Sequence, residues 1–221
     1  VLGDVDPERL QEEVAKRLPL PAGSRRFPDT VVKRSPDRPV RDVVERMDVN
    51  QGVLVIGFRT GITLRDELYF PMLVANGVLG GFAHSKLFQE VREKNSLAYF
   101  AYSAIETVKG VGFMYAGVEF ADAERCKAIM LEQLRAVQDG AISDAEMETT
   151  IATLVNDMLS AADRPEAMAE LAVDQVFSGR DLTIDDRVAR FRQVTREQVA
   201  EAARHFTLDT VYLLTRKEGG A

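Results

Sequence analysis

Residues 88–102 read FQEVREKNSLAYFAY. Phe88 and Val91, with Leu87 just upstream, fall on one helical face, and the charges of EVREK fall on the other, so the spacing predicts a helix over Ser85–Lys94. From Ala98 the pattern changes to an aromatic-rich strand, which the motif VKG turns back on itself. Ala98–Thr107 and Val111–Glu119 are therefore expected to form a hairpin. A helix that runs directly into a hairpin decides the fold class, and it leaves Arg92 seven residues before Tyr99 at the corner.

Working outward, Val53–Phe58 (VLVIGF) is apolar at alternating positions of both parities, which predicts a central strand covered on both faces. Leu64–Leu79 has helical spacing and ends at Gly80-Gly81, a natural stop. The C-terminal third is helical. Cys126, Ile129, Met130, Leu134 and Val137 line one stripe of a helix over Asp122–Asp139. Ser143 and Glu146 form a capping box ahead of a helix with Met147, Ile151, Leu154, Val155 and Met158 inside. A further helix carries Met168, Leu171, Ala172 and Val176. Thr195 and Gln198 cap the last one, with Val199, Ala202, Ala203 and Phe206 inward, and Thr210–Leu214 closes as a strand. Separated strands with helices bunched late predict an α+β fold, a mainly antiparallel sheet packed against helices.

The N-terminal segment reads differently. Val1–Val5 is expected to be a strand, and Asp6-Pro7 opens a helix that fades by Leu18. Residues 19–41 hold five of the eight prolines, with six Lys/Arg against two Asp. Repeated prolines forbid a helix there, so this is a proline-rich linker. Residues 1–18 are then the tail of a preceding domain, or an edge strand and helix of this one, and 42–221 form the C-terminal domain. The opening VLGDVD, without an initiator Met and partway into an apolar strand, reads as a fragment of a longer protein.

The net charge of −7 opposes nucleic acid and anionic membranes as partners. No apolar run reaches the length of a membrane span. The single Cys126 excludes an internal disulfide and fits a reducing compartment, so the expected location is cytoplasmic.

Several chemistries lack their residues. Only His84 and His205 are present, far apart, and a catalytic zinc normally takes three protein ligands with an oriented second shell, so no metal site is expected in this chain. His84 reads as a polar residue at a helix start, His205 as an exposed one on the last helix, and Cys126 as a small buried hydrophobe. Ser85 follows His84 directly, and adjacent helical residues point apart, so they do not form a nucleophile and base. Gly77, Gly80 and Gly81 lack the spacing of a phosphate-binding loop and read as a turn or hinge where two elements meet closely.

Arg92 and Tyr99 remain. A forked, permanently charged donor beside a phenol on a rigid ring can hold an extended peptide by its carbonyl oxygens, or steady an oxyanion forming on one. Each also has an ordinary use: helix-end arginines make exposed ion pairs, here with Glu90 or Glu93, and strand tyrosines pack.

The run LGGFAHSKLFQEVREKNSLAY resembles the C-terminal half-domain of the pitrilysin, insulin-degrading enzyme and mitochondrial processing peptidase family. That family shows a Gly-Gly turn, Ser-Arg-Leu-Phe, Leu-Arg-Glu-Lys and Leu-Ala-Tyr in order. VLGDVDPERL is similar to the strand and helix that precede its linker, and QGVLVIGFRT to the strand after it, so the resemblance covers most of residues 1–160. It implies two related α+β units enclosing a chamber, with zinc held by a His-x-x-Glu-His motif in the other unit. It also implies that Arg92 and Tyr99 contact the substrate backbone, that this chain is not catalytic alone, and that zinc and the general base come from a missing N-terminal domain or a paired homologous subunit. Lys86 departs from the commoner Arg, and Asn95-Ser96 stands where Gly is common. The form REKNSLAYFAY is most similar to bacterial members that act in pairs, one partner lacking the zinc motif. The function expected is the substrate-binding C-terminal domain of a zinc metallopeptidase-like protein acting on a peptide or unfolded polypeptide. The alternative is a non-catalytic scaffold or assembly subunit of the same fold that binds protein partners.

Overall fold

The structure is a computed structural model that describes residues 3–18 and 39–217. The proline-rich stretch therefore lies almost wholly outside the described residues, as do Val1 and Leu2 of the expected first strand. Gly3 and Asp4 bend, and Gly3–Val5 make no strand pairing among the described residues.

Five strands form one sheet: β1 (Arg41–Met47), β2 (Gly52–Arg59), β3 (Ala98–Glu106), β4 (Val111–Val118) and β5 (Thr207–Arg216), in the order β1-β5-β2-β4-β3. Only β1 pairs in parallel, with β5; the remaining pairs are antiparallel, as the α+β reading requires. Seven α-helices accompany the sheet among the described residues. α1 (Pro7–Arg17) has no buried residue. α2 (Tyr69–Asn76), α3 (Ala123–Gln138), α4 (Asp144–Ala161), α5 (Pro165–Ser178), α6 (Ile184–Gln193) and α7 (Arg196–Arg204) build the helical layers.

The core lies between the sheet and α2, α3 and α7. Leu54, Ile56, Met114 and Ala116 project from the central strands onto Met72, Val78, Met130 and Val199, all at most 1% exposed. Farther out, Phe191 of α6 packs edge-on against Phe70, with ring centroids 5.0 Å apart. Burial of this apolar surface is the main driving force for the layered arrangement. The boxes at Ser143/Glu146 and Thr195/Gln198 form as expected and fix the starts of α4 and α7.

Several expectations are corrected. The β2 run is covered on one face only: Leu54, Ile56 and Phe58 are buried, while Val53 and Val55 are half-exposed. Val55 is flanked by Tyr115 of β4 and Tyr212 of β5, so lateral tyrosines rather than a second helical layer account for its apolar character. The helix over Leu64–Leu79 begins only at Tyr69, because Thr63 and Asp66 close a turn ahead of it. The stripe of α5 is rotated: Val176 is 81% exposed, because Asp174 and Gln175 turn inward and Gln175 donates to the Leu182 carbonyl. β1 and α6 are additional elements that the sequence reading did not place.

Candidate functional site

The candidate site grows from the turn after α2. This helix widens into a π-helical turn over Gly77–Gly81, and the backbone then runs extended at Phe82. Neither Gly80 nor Gly81 has a positive φ, so the pair is required for close approach rather than for a left-handed turn. A Cβ on Gly80 would fall 2.5 Å from the Ser103 amide nitrogen, and one on Gly77 would fall 2.5 Å from the Thr150 methyl. The glycines therefore bring this turn against β3 on one side and α4 on the other. Ser103 completes the contact by donating to the Asn76 side-chain oxygen at 2.8 Å.

The next helical segment, Phe88–Lys94, is also π-helical, a form concentrated at functional sites. Its end is tied down. The Leu97 amide donates to the Val91 carbonyl at 3.0 Å and the Ser96 amide to the Arg92 carbonyl at 3.1 Å. Asn95 donates through Nδ2 to the Glu90 carbonyl at 2.8 Å, while Arg125 on α3 donates to Asn95 Oδ1 at 3.1 Å. The backbone turns left-handed at Ser96, at φ 52°. The corner thus forms without the glycine common in the resembling family, with the Asn95 amide acting as a brace.

Arg92 lies half-exposed on this corner. Its guanidinium sits 4.7 Å from the centroid of the Phe88 ring, a cation–π contact, and its Nε is 3.7 Å from Glu93 Oε1. Lys94 instead pairs with Glu90 at 2.5 Å. Tyr99 is the second residue of β3, 77% exposed and with no side-chain hydrogen bond to the described residues. The register explains this exposure. Ala98 pairs with Val118 and Phe100 with Gly117, so Tyr99 is the extra residue of a β-bulge, a device that re-aims side chains. β3 is the last strand of the sheet, and its outer edge has no partner strand among the described residues.

The bulge also decides which way the following rings face. Ala98, Ala101 and Ser103 are buried against the helices, whereas Phe100 and Tyr102 turn to the opposite face. There Tyr102 stacks on Tyr115, with centroids 4.9 Å apart and planes at 19°. Phe100 and Phe113 flank this pair, each 5.8 Å from its tyrosine neighbour. Partial burial and the neighbouring Tyr102 raise the Tyr115 phenol above its ordinary value, so it stays neutral. The sequence showed an aromatic-rich strand but not that these rings share one face.

The soft-donor residues are engaged elsewhere. His84 lies just before the helical segment, stacks on Phe82, and its Nε2 is 3.0 Å from Thr150 Oγ1. Burial lowers its pKa, partly opposed by Glu146. His205 caps α7 at its exposed C-terminus. Cys126 is fully buried beside Met130. No cluster of three His, Cys, Asp or Glu side chains able to hold a metal occurs among the described residues, so the donors present there do not fit a zinc centre. No described helix is long and apolar enough to cross a membrane.

These features coincide with a known class. Residues 1–154 match the family described as peptidase M16 inactive domain, and the chain belongs to that family. A Bacillus subtilis protein, YmfF, described as a probable inactive metalloprotease, is 35% identical over all of this chain and 52% of its own length. A Streptomyces coelicolor protein described as an uncharacterized zinc protease is 31% identical over 70% of this chain and 34% of its own. The crystal structure of a conserved protein from Enterococcus faecalis superposes with a TM-score of 0.80 at 31% identity, covering 85% of this chain and 44% of that one. The chain thus spans about half or less of the length of these relatives.

Proposed function

We propose that this chain is the substrate-binding, non-catalytic half of a zinc metallopeptidase-like protein. Arg92 and Tyr99 grip the backbone of an extended peptide or unfolded polypeptide, while zinc and the general base come from another domain or a paired homologous subunit. The observation that carries this reading is Tyr99 itself. A phenol that is 77% exposed and has no hydrogen-bond partner among the described residues sits on a bulge near the start of β3, whose outer edge has no partner strand among the described residues, on the corner that carries Arg92. An unpaired edge offers main-chain hydrogen bonds to an added strand, and a guanidinium and a phenol supply donors for its carbonyls. Residues 1–18 then belong to a preceding domain, which α1 supports by burying none of its side chains here.

The test is to assemble the complete protein, or its pair, with zinc and measure hydrolysis of an unstructured peptide. Arg92→Ala and Tyr99→Phe are expected to lower kcat/KM, by about a hundredfold for Tyr99 if it serves the transition state. Unchanged kcat/KM in both variants overturns the role. A second reading, a scaffold subunit whose cavity binds no substrate, is favoured by the description of the Bacillus subtilis relative as inactive. It requires that the complete assembly neither binds nor cleaves peptide, while still forming its complex.

A further inference from the structure

We infer that Arg125, on α3, is a positioning residue for the peptide grip of Arg92 and Tyr99: acting through Asn95, it fixes the corner from which both side chains reach. The inference rests on the reading of Arg92 and Tyr99 as that grip, and it assigns what holds the two against the helical layer.

The tether is visible in the hydrogen bonds. Asn95 stands three residues after Arg92 and four before Tyr99. Its side-chain amide joins two partners that each take only one end of it: Nδ2 donates to the Glu90 carbonyl at 2.8 Å, and Oδ1 accepts from Arg125 Nη2 at 3.1 Å. A carbonyl can only accept and a guanidinium can only donate, so the amide has a single orientation. The Leu97 and Ser96 amides meanwhile donate to the carbonyls of Val91 and Arg92. Asn95 thus completes a row in which successive carbonyls of the helix end, those of Glu90, Val91 and Arg92, each take a donor from the corner. That closure holds Ser96 in its left-handed conformation, at φ 52°, where a side chain is otherwise disfavoured.

Arg125 carries the tether to a rigid base. It directly precedes Cys126, which is fully buried, and Met130, Leu134 and Val137 anchor the same helix in the core. Arg125 itself is exposed, and its side chain makes no ion pair with a carboxylate among the described residues; its partner there is the neutral Asn95 amide. Its position also runs against local preference. Arg125 is the third residue of α3, in the first turn, where the helix dipole disfavours a cation. Departures of this kind from local consistency concentrate at functional positions. Residues that touch a substrate need supports that lock their geometry, and a donor fixed on a core helix supplies one.

The experiment uses the complete protein, or its pair, with zinc and an unstructured peptide. It compares Arg125→Ala, Arg125→Lys, Arg92→Ala, Tyr99→Phe and the double variant Arg125→Ala/Tyr99→Phe. Arg125→Ala is expected to lower kcat/KM about tenfold, while Tm stays close to that of the parent because the side chain is exposed. A single N–H contact is involved rather than a bidentate pair, so an ammonium can replace it, and Arg125→Lys should recover most of the loss. In the Tyr99→Phe background Arg125→Ala should cost less than it does alone, because the residue it positions has lost its hydroxyl. If Tyr99→Phe lowers kcat/KM and Arg125→Ala does not, the positioning role is overturned and the grip stands. A loss that Arg125→Lys does not recover, or that adds in full to that of Tyr99→Phe, marks a general structural effect and also overturns the role. If neither Arg92→Ala nor Tyr99→Phe changes kcat/KM, the grip falls and this inference falls with it. An assembly that binds peptide without cleaving it is read by the same comparisons in Kd, and one that does neither overturns both.

Discussion

A Cβ on Gly80 would stand 2.5 Å from the amide nitrogen of Ser103 and 2.7 Å from a methyl of Leu87. Neither neighbour has room to retreat. Ser103 is paired with Met114 inside the sheet and holds Asn76 through its hydroxyl, and Leu87 is fully buried. Gly80→Ala is therefore expected to destabilise by about 1–3 kcal/mol through overpacking, with a loss of roughly 2–4 °C in Tm for each kcal/mol. Gly81→Ala, whose closest obstacles are the Asn76 amide nitrogen at 3.1 Å and the Asn76 carbonyl at 3.2 Å, meets nothing under 3 Å and should cost less. Thermal melts of the two variants check the order, and a Gly80→Ala protein that melts like the parent contradicts the close approach.

The end of the helix before β3 gives a second prediction. Asn95 both donates to the Glu90 carbonyl and accepts from Arg125, so Asn95→Ala removes two hydrogen bonds, about 1–2 kcal/mol in all. Ser96→Gly acts the other way, because φ 52° strains a side chain. Relief of about 1–2 kcal/mol, less the entropy of an added glycine, leaves a net gain of roughly 0.5 kcal/mol. Urea denaturation should therefore move the midpoint down for the first variant and up for the second. Movement in the same direction for both would mean that the corner is not held as described.

What could be read in the sequence was what is local. The hairpin turn and the two capping boxes lie within a few residues of the elements they define, and they formed where expected. β1 escaped because its pairing with β5 joins Arg41 to Thr210, and its RDVVERM run is exposed throughout, with no alternation to betray it. α6 escaped because its box ends in Asp186 rather than the expected Glu or Gln. At the candidate site, Arg92 and Tyr99 stood out by spacing and resemblance. The face taken by Phe100 and Tyr102 did not, since one bulge residue reverses it and only the pairing with β4 reveals the bulge.

The approach of Lys86 to Glu146, 2.8 Å, sets the acid limit of the α4 N-terminus. Burial pushes the Glu146 carboxyl up, but hydrogen bonds from Lys86 and Ser143 outweigh it and hold the group below its ordinary value. A carboxylate depressed in the folded state contributes stability above its unfolded pKa of about 4.3 and loses it as pH falls through the lower folded value. His84 acts in a higher window: its lowered folded pKa means that stability begins to fall as pH drops below about 6.5. In Tm–pH profiles, Lys86→Met should shrink or abolish the lower loss, because the folded carboxyl rises toward its unfolded value, and His84→Gln should remove the upper one. Profiles parallel to the parent in both variants would contradict these assignments.

Cys126 supplies the alkaline counterpart. It is fully buried, its sulfur 3.7 Å from that of Met130, and burial pushes the thiol from 9.0 to about 11, with Asp122 adding to the rise. The folded state therefore holds the proton that the unfolded state releases. Stability is complete below the unfolded thiol value and falls between about pH 9 and 11, by on the order of 2–3 kcal/mol. Cys126→Ala adds a small cavity, costing on the order of 1 kcal/mol at every pH, but abolishes this titration. The difference in Tm between parent and variant should thus be constant near neutral pH and shrink, or reverse, above pH about 9. Lysine and tyrosine ionisations common to both proteins cancel in that difference. Thiol labelling gives an independent readout: because only the thiolate reacts and the sulfur is covered, native modification should proceed no faster than local opening exposes the sulfur. Rapid labelling of the folded protein at neutral pH, or a difference that stays flat to pH 11, contradicts a buried neutral thiol at this position.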